Sequence, residues 1–436
     1  EEHPKPAQVR ILFEKETELQ ETPIGKIPKE WKIATLKDIA LISSGNTAPQ
    51  EKKYFEGGKF PFIRVQHLNN LEEQKYPTQY DLINELAISE LKLKKFRKGS
   101  IIFPKSGESI RLEKRAILRE DSFVVNHLAV VEPIHPEVHN MFLFYYLCTI
   151  KTSNYLAKTT MPSLNLSTIQ TFHIPLPPVV EQKVIAEILS TVDSAIDRVR
   201  RLVERAEKLK KGLMQELLTK GIGHKEYKET PIGKIPKEWR VVRLGEVCNP
   251  VREIIEPRSS DVSAPYVGLE HVEPGRFFLT RWGTAKEVIS SKYKFRKGDI
   301  LYGRLRPYLD KCVIATIDGL CSTDFIVIRA NANLILPEYM VAILHTEKFI
   351  KYATSTMRGT NHPRTSWESI SRYLLPLPPI NEQAEISNIL LSIDRYIGLL
   401  KNKHELLSHI KRSLMNILLT GKVRIIVDSS EGVSGG

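Results

Sequence analysis

Two segments of the chain combine strand-like alternation with basic residues at their turns. They read FRKGSIIFPKSGESIRLEKRAILRE from Phe96 and FRKGDILYGRLRPYLDKCVIAT from Phe295, and alternation of apolar and basic residues around a turn predicts a β-hairpin. Arg and Lys can bind guanine in the major groove of DNA, or they can simply hold phosphates. The side chains at the predicted tips are Lys105, Ser106, Arg111, Lys114, Arg115, Arg304, Arg306, Tyr308 and Lys311.

Two further segments carry amides and arginines. The first follows the predicted strand PFIR and contributes Arg64, Gln66, Asn69 and Asn70. The second, RGTNHPR, is polar and loop-like and contributes Arg358, Asn361 and Arg364. Gln and Asn can pair with adenine, so both segments fit a DNA-binding surface. For any single one of these residues, an ordinary solvated surface position remains an equally open interpretation.

The sequence lacks the motifs of a catalytic or metal site. No Asn/Asp-Pro-Pro-Tyr/Phe motif of a methyltransferase occurs, and Gly421-Lys422 lacks both the upstream glycine and the following Ser or Thr of a phosphate-binding loop. Asp310 and Glu108 are lone charges rather than a nuclease cluster. Four cysteines without zinc-ligand spacing are interpreted as reduced and structural. We therefore predict a non-catalytic protein that uses neither a cofactor nor a metal.

The charge of the chain favours a polyanionic partner. Its 436 residues have a formal net charge of +13, and such an excess gains binding free energy by releasing counterions from phosphates. A basic surface without function is an equally open interpretation of the charge alone. The 42% hydrophobic and 26% charged residues are typical of a globular protein, and the length indicates more than one domain. Because the sequence shows no apolar run of bilayer length, we expect a cytoplasmic protein.

An internal repeat must position these segments. ETPIGKIPKEW occurs at Glu21–Trp31 and again at Glu229–Trp239, and the strands PFIR and PYVG, the FRKG turns and two PLPP segments follow in the same order. The spacing between equivalent residues drifts in the first part of each unit and settles at 201 in the last part. A diverging first part and a last part of constant length indicate two variable readers on an invariant frame.

A heptad pattern follows each PLPP segment and predicts two long coiled-coil helices. The seam residues are Ile185, Leu189, Val192, Ile196, Val199, Val203, Ile386, Leu390, Ile393, Ile397, Leu400 and Leu407. Each helix would be about 58 Å long at 1.5 Å per residue. Parallel pairing would require the chain to return along the whole helix through the second domain, so we expect antiparallel pairing with one domain at each end.

One seam position holds a lysine in both helices, Lys210 and Lys411. A seam lysine can fix the register or the number of partners at a cost in stability. Alternatively, each lysine can lay its stem on apolar surface near the helix C-terminus while its ammonium reaches water. We favour the second interpretation.

These motifs resemble the specificity subunit of type I restriction-modification systems. The resemblance rests on IGKIPKEW, on PLPP-x-x-EQ before each long helix, on the closing LLTKGIGH and LLTGKVR, and on the order of the two units, and it extends from about Glu21 to Arg424. It implies two target recognition domains that read the halves of a split DNA site, and helices that bind two modification (methyltransferase) subunits, which restriction subunits join. Because equivalent loops approach DNA in that family, the polar residues named above become the candidate DNA contacts.

The predicted fold is α+β, with two similar mixed α/β recognition domains, two long antiparallel helices and an internal pseudo-twofold repeat. The predicted boundaries are an extension at 1–20, recognition domain 1 at 21–178, helix 1 at 179–220, a linker at 221–228, recognition domain 2 at 229–379, helix 2 at 380–422 and a tail at 423–436. Two other functions remain open: a coiled-coil protein adaptor that does not read DNA, and a duplicated DNA-modifying enzyme whose motifs are not evident.

Overall fold

The computed structural model of the chain describes residues 10–69, 71, 75–156, 162–255, 264–285 and 290–428. They form two compact units, each with its own core. Unit 1 takes residues 1–200 and 403–436 of the chain, and unit 2 takes residues 201–402. Each unit therefore combines one recognition domain with part of both long helices.

Unit 1 contains a four-stranded and a three-stranded sheet and several short strand pairs. Its strands are β1 (Arg10–Lys15), β2 (Leu19–Thr22), β3 (Gly25–Pro28), β4 (Lys32–Thr35), β5 (Ala40–Ser44), β6 (Phe60–Ile63), β7 (Asp81–Ile83), β8 (Ile101–Pro104), β9 (Ala116–Ile117), β10 (Phe123–Val124), β11 (Leu128–Pro133) and β12 (His173–Leu176). Its helices are α1 (Leu36–Ile39), α2 (Gln66–Asn69), α3 (Glu85–Glu90), α4 (Asn140–Leu147), α5 (Leu166–Gln170) and the first half of α6 (Val179–Lys220).

Unit 2 repeats these elements with small changes. Its strands are β13 (Tyr227–Lys228), β14 (Ile235–Pro236), β15 (Arg240–Arg243), β16 (Cys248–Val251), β17 (Ile254–Ile255), β18 (Pro265–Val267), β19 (Gly283–Thr284), β20 (Lys292–Phe295), β21 (Ile300–Gly303), β22 (Cys312–Ile314), β23 (Gly319–Cys321), β24 (Phe325–Ala330) and β25 (Leu374–Leu377). Its helices are α7 (Leu244–Val247), α8 (Pro337–Leu344), α9 (Glu347–Ser355), α10 (Trp367–Ile370) and the first half of α11 (Ile380–Leu418), after which β26 (Val423–Asp428) belongs to unit 1.

The sheet topology confirms the internal repeat. The order β5-β11-β8-β9 in unit 1 corresponds to β16-β24-β21-β22 in unit 2. The second sheet joins β6 to β10 in parallel in unit 1, and unit 2 joins β18 to β23 in parallel in the same way. The predicted hairpins are also present, since β8 pairs with β9 and β21 pairs with β22, both antiparallel. The predicted α+β fold with two similar domains is therefore confirmed.

In each unit, one apolar cluster lies between the four-stranded sheet and the helices, and a second lies between the two sheets. In unit 1, all four residues of β8 are buried, as expected for a strand covered on both faces. Residues Phe142–Leu147 of α4 are buried all round, because this helix packs in the same cluster as Ile185 and Leu189 of α6. The corresponding helix α8 packs against Ile386 and Leu390 of α11 in unit 2.

The two long helices pack antiparallel within each unit. In unit 1, Glu181 near the start of α6 bonds the backbone of Ile425, and Asp193 further along α6 pairs with Lys411. The residue numbers of these partners thus fall as the residue numbers along α6 rise, which is the pattern of antiparallel helices. Unit 2 shows the same direction, because Glu207 pairs with Lys401 and the backbone of Ile222 bonds Glu382. All twelve predicted seam residues are buried or half-buried.

The repeated ETPIGKIPKEW motif anchors each domain to a long helix. Trp31 at its end is 1% exposed, and its indole Nε1 donates to Glu181 of α6 at 3.2 Å. Glu181 also accepts hydrogen bonds from Arg424, which follows α11. In unit 2, Trp239 is fully buried and donates to Glu382 of α11 at 2.8 Å, and His224 after α6 contacts the same carboxylate. Each of these glutamates, at the start of a long helix, thus holds three segments together.

Glycines end both long helices next to these tryptophans. Gly221 has φ +66° and Gly421 has φ +69°, the left-handed conformation that favours glycine at a helix C-terminus. A Cβ on Gly421 would collide with the ring of Pro28 and would lie 3.1 Å from Trp31. Gly421 is therefore required for two reasons, the left-handed backbone conformation and the close approach of the ETPIGKIPKEW motif.

The favoured interpretation of the seam lysines is wrong for Lys210. Its residue surface is only 7% exposed, and its ammonium bonds the carboxylate of Asp394 at 2.6 Å instead of reaching water. Lys411 retains 21% of its side-chain surface and lies 2.6 Å from Asp193. A buried ammonium needs a compensating anion, and each helix supplies one to the other.

The first and last described strands of the chain pair with each other. β1 and β26 run antiparallel from the Arg10–Asp428 pair to the Lys15–Val423 pair. These residues belong to the predicted extension and tail, for which the sequence pattern predicts neither strand.

Candidate DNA interface

In unit 2, three segments lie together beyond the strand ends of both sheets, and two of them were predicted from the sequence. The first follows β18 (268–271), the second follows β21 (304–311), and the third is RGTNHPR (358–364). Lys311 Nζ donates to the carbonyl of Leu269 at 2.6 Å and joins the first two. Arg306 N donates to the carbonyl of Pro363 at 2.9 Å and joins the second to the third. We call these three segments the unit 2 reading loops.

The RGTNHPR segment forms a tight hairpin within this group. Arg358 and Arg364 exchange two backbone hydrogen bonds, of 2.9 and 3.0 Å. Arg364 Nε also donates to Asp324 Oδ1 at 2.9 Å, which fixes that guanidinium against the end of the four-stranded sheet. The hairpin therefore presents Arg358 and Asn361, both exposed, from a rigid base.

The polar side chains of the loop after β21 differ in how far they are exposed to solvent. Arg306 is exposed and has φ +50°, a left-handed conformation that costs a residue with a Cβ about 1–3 kcal/mol. Tyr308 is 51% exposed. Arg304 is half-buried, and its Nε is enclosed without a hydrogen bond to the described residues. Arg306, Tyr308, Arg358 and Asn361 are therefore accessible on the unit 2 reading loops.

Unit 1 builds an equivalent group from the segments 64–71, 105–115 and 162–163. Lys114 Nζ donates to the carbonyl of Leu71 at 2.8 Å, as Lys311 does to Leu269. Gly107 N donates to the carbonyl of Pro162 at 2.9 Å, as Arg306 N does to Pro363. These segments, the unit 1 reading loops, thus repeat the backbone frame of unit 2 with different side chains.

Several of the predicted DNA contacts in unit 1 bond other residues of the protein. Arg64 Nε bonds Asp81 at 2.5 Å and its Nη2 donates to the carbonyl of Pro49, so two of the three nitrogens of this half-buried guanidinium bond the protein itself. Ser106 Oγ lies 2.7 Å from His127 Nδ1, and Lys105 is half-buried. Gln66 and Arg111 are exposed, and Arg111 bonds Glu108 at 3.0 Å. Asn69 ends α2, while its side chain and all of Asn70 lie outside the described residues.

The prediction that Arg115 contacts DNA is not consistent with its position. The residue is 6% exposed, and its guanidinium donates to the carbonyl of Ile150 at 2.9 Å and to Glu113 at 2.9 Å. It also lies over the ring of Phe103. Burial raises the pKa of Glu113, but hydrogen bonds from Ser153, Thr152 and Arg115 outweigh it and bring that pKa to about 2. Arg115 therefore stabilises the base of the hairpin instead of its tip.

The repeated histidines His67 and His271 also have a structural role. His67 Nδ1 accepts the backbone N–H of Arg64 at 3.0 Å, and His271 Nδ1 accepts that of Gly268 at 2.9 Å. Each ring closes the turn that follows the strand. Histidine recurs in two otherwise different segments, and this recurrence is the sequence signal of the shared turn.

The acidic partners of the seam lysines are absent from the sequence-based prediction. Asp193 and Asp394 occupy equivalent places in the two helices, 201 residues apart as are Lys210 and Lys411. Each aspartate is at most 3% exposed. Equal spacing of an acid and a base in two antiparallel helices is the sequence signal that could have identified the pairs.

Neither a candidate metal site nor a candidate membrane span occurs among the described residues. Nowhere in the ranges that the structure describes do three His, Cys, Asp or Glu side chains come together as metal ligands. Over the same ranges, no helix is both long and apolar enough to cross a bilayer.

Comparison with known proteins assigns the family. The model of the type I restriction modification DNA specificity domain matches residues 28–208 and again residues 236–409, which together exceed half of the chain. The chain belongs to the type I restriction modification DNA specificity family. The two matched segments begin within or next to the two copies of the ETPIGKIPKEW motif, so the family assignment and the internal repeat agree.

Relatives in this family extend over nearly the whole chain. The putative type I restriction enzyme MjaX specificity subunit of Methanocaldococcus jannaschii is 27% identical over 431 residues, which cover 96% of this chain and 99% of the relative. The type I restriction enzyme EcoDI specificity subunit of Escherichia coli is 23% identical over 83% of this chain and 81% of its own length. The predicted resemblance to type I specificity subunits is therefore confirmed.

A solved structure supports the fold. The crystal structure of the type I restriction-modification system S subunit from M. genitalium superposes with a TM-score of 0.61 at 16% identity, and the match covers 89% of this chain and 96% of that one. The chain thus shares the fold of a specificity subunit.

Proposed function

We propose that this chain reads a bipartite DNA sequence without catalysing a reaction, and that it directs methyltransferase subunits, and through them restriction subunits, to that site. The observation that carries the proposal is the duplication of the reading loops: the same backbone frame occurs in both units, but with different side chains. Two frames that differ in this way suit two different half-sites. Gln66 in unit 1 corresponds to Glu270 in unit 2, so an amide that can bind adenine is replaced by a carboxylate.

The charge distribution supports DNA as the partner. Residues 181–220 hold nine basic and seven acidic side chains, and residues 382–422 hold six and four, so the long helices carry +4 of the net charge of +13. The segments before residue 21 and after residue 422 are net acidic, and the two recognition domains carry +5 and +6. Phosphate contacts need cations there, and the exposed Arg306 and Arg358 supply them in unit 2.

One side of α11 carries exposed apolar residues, which indicate a protein partner. Large hydrophobic residues are exposed along it at steps of three, four or seven, which places them along one side of the helix. This apolar stripe consists of Ile389, Tyr396, Leu399, Leu406 and Ile410, and Leu399 is 67% exposed. Exposed contiguous apolar surface of this kind is typical of docking sites. We assign the stripe to a modification subunit.

DNA reading is tested with the purified chain and its modification subunit. Binding to duplexes from a randomised library is measured by sequencing the bound fraction, and affinity is measured at increasing salt. We expect two short specified blocks at a fixed spacing and a steep loss of affinity with salt. Binding without sequence preference would contradict the proposal, as would methyl transfer or cleavage by the isolated chain.

Docking is tested separately by co-purification. Leu399→Glu and Leu406→Glu should each weaken capture of the modification subunit. Leu41→Glu, which alters a leucine of β5 that is 56% exposed and lies on neither long helix, is the matched control. Equal capture by all three variants would exclude the apolar stripe as the docking surface.

A further inference from the structure

A charged network is buried where the long helices meet the recognition domain in unit 2. Lys210 Nζ of α6 lies 2.6 Å from Asp394 Oδ1 of α11 and donates to the carbonyl of Gly275 at 2.6 Å. The same ammonium lies 3.7 Å from the centre of the Phe277 ring. Burial lowers the pKa of Lys210, and the carboxylate of Asp394 opposes this shift. One lysine therefore ties together both helices and the recognition domain.

Asp394 also bonds the segment of the recognition domain that Lys210 contacts. Arg276 Nη1 donates to the backbone carbonyl of Asp394 at 2.6 Å, and the N–H of Phe277 donates to its carboxylate at 3.3 Å. Arg276 Nη2 lies 3.7 Å from the same carboxylate. The segment 275–277 is thus held by both members of the Lys–Asp pair.

This segment leads directly to the unit 2 reading loops. Gly275 N donates to the carbonyl of Asp310, the residue that closes the turn carrying Arg306 and Tyr308. The carboxylate of Asp310 lies 2.7 Å from His345 Nδ1, and His345 Nε2 lies 3.0 Å from the carbonyl of Arg276. Two hydrogen-bonded steps therefore separate the Lys210–Asp394 pair from the turn that presents the exposed arginine.

Unit 1 contains the reciprocal pair. Lys411 of α11 lies 2.6 Å from Asp193 of α6, and Lys75 of the recognition domain lies 3.2 Å from the same carboxylate. The Tyr145 hydroxyl donates to Asp193 at 2.6 Å. Lys75 is joined to the hairpin of the reading loops, because its carbonyl accepts the N–H of Ile117 in β9 at 2.7 Å. Each aspartate is thus held by one cation from the opposite helix and one from its own recognition domain.

The energetic consequence is a fixed register. A shift of one helix along the other would leave a lysine and an aspartate buried without a partner, and an uncompensated buried charge is strongly destabilising. Apolar seam residues alone tolerate such shifts better, and a polar group at the seam is a known means of selecting one register.

We propose that Lys210–Asp394 and Lys411–Asp193 are positioning pairs, each of which fixes the reading loops of its own unit on the helices and thereby determines the sequence preference at one half-site. The inference rests on the proposed function, because it assigns one half-site to each unit. It goes beyond that function by assigning sequence readout to residues that do not reach DNA.

The test compares matched variants in the complex of the full chain with its modification subunit. Lys210→Met acts in unit 2 and Lys411→Met in unit 1, and each leaves its aspartate with the cation of the recognition domain. Lys208→Met and Lys403→Met, which alter exposed lysines on the same helices, are the controls. Methylation of a library randomised at both half-sites is read by sequencing.

We expect Lys210→Met to reduce the base preference at one half-site by about threefold or more at each specified position, while the other half-site keeps its preference. Lys411→Met should do the reverse. Lys210→Arg, which keeps the charge, should retain most of the preference. Should a Met variant fail to fold, Asp394→Asn and Asp193→Asn, which keep the side-chain volume, provide the same comparison at the other member of each pair.

The outcomes separate this inference from the proposed function. A wild-type complex that shows no bipartite preference would overturn the proposed function. A bipartite wild-type preference that the Met and Asn variants leave intact, or reduce equally at both half-sites in step with total activity, would overturn the positioning role alone.

Discussion

Trp239 donates its indole N–H to the carboxylate of Glu382 over 2.8 Å, and both groups are shielded at the point where α6 ends and α11 begins. Trp31 makes the corresponding bond to Glu181 in unit 1. The two tryptophans close identical eleven-residue motifs, so the strictest part of the repeat attaches each recognition domain to a long helix.

Replacing the indole should cost stability without affecting DNA contacts directly. Trp239→Phe keeps most of the apolar surface but leaves Glu382 without one of its donors, and an unsatisfied buried partner costs about 1–3 kcal/mol. Chemical denaturation of the full chain measures the loss. Trp282→Phe, at a tryptophan that is 45% exposed, is the control and should change stability by less than about 0.5 kcal/mol. Equal losses in both variants would contradict the assigned role.

The carboxylate of Glu113 should make stability depend on acid pH. Its pKa in the folded chain is about 2, below the ordinary value of 4.5, because hydrogen bonds from the protein outweigh the opposing effect of burial. A carboxylate with a lowered folded pKa contributes stability that is complete above pH 4.5 and is lost as the pH falls towards 2. Glu113→Gln should therefore reduce the change in melting temperature between pH 4.5 and pH 2. Glu108→Gln, at a glutamate whose side chain is 74% exposed, should leave the pH profile unchanged.

Substitutions of arginine should separate DNA-binding residues from structural ones. Arg306→Ala and Arg358→Ala remove exposed cations, so each should lower DNA affinity and reduce the slope of log affinity against log salt by about 0.9 for each phosphate that the variant no longer binds. Arg115→Met removes a buried guanidinium, so it should lower the unfolding free energy while leaving the salt slope unchanged. A reduced slope for Arg115→Met with normal stability would restore it as a DNA-binding residue.

The helix end at Gly421 should tolerate no side chain. Gly421→Ala combines a left-handed conformation, which costs about 1–2 kcal/mol for an L-residue, with contact against the rigid ring of Pro28. Gly25→Ala has a positive φ as well, but its Cβ meets nothing within 4 Å. We expect Gly421→Ala to lower the thermal unfolding midpoint clearly more than Gly25→Ala. Similar losses would show that the conformation and not the contact with the motif is decisive.

The sequence predicted the frame of the molecule well because that frame is periodic. Heptad spacing located the first long helix at its observed bounds and the second to within four residues at its end, and the repeated motifs paired the two domains. Antiparallel pairing followed from chain length and is present in each unit. These features depend on neighbouring residues or on simple geometry, which a single sequence contains.

The candidate site was predicted less well because it depends on contacts between distant segments. Arg306 and Pro363 are 57 positions apart, and no local pattern indicates that their backbones bond. Arg115 has the composition of an exposed tip, but the carbonyl of Ile150 and Glu113 hold its side chain inward. Lys210 was misjudged for the same reason, since Asp394 is not its neighbour in sequence.

The pairing of β1 with β26 has a practical consequence for anyone who extends or trims this protein. Arg10 and Asp428 are opposite each other, so the first and the last described residues lie side by side in unit 1. Removing the final strand would leave Arg10–Lys15 with an open row of backbone donors and acceptors, a template for joining other chains. Shortened versions should therefore lose both strands or neither.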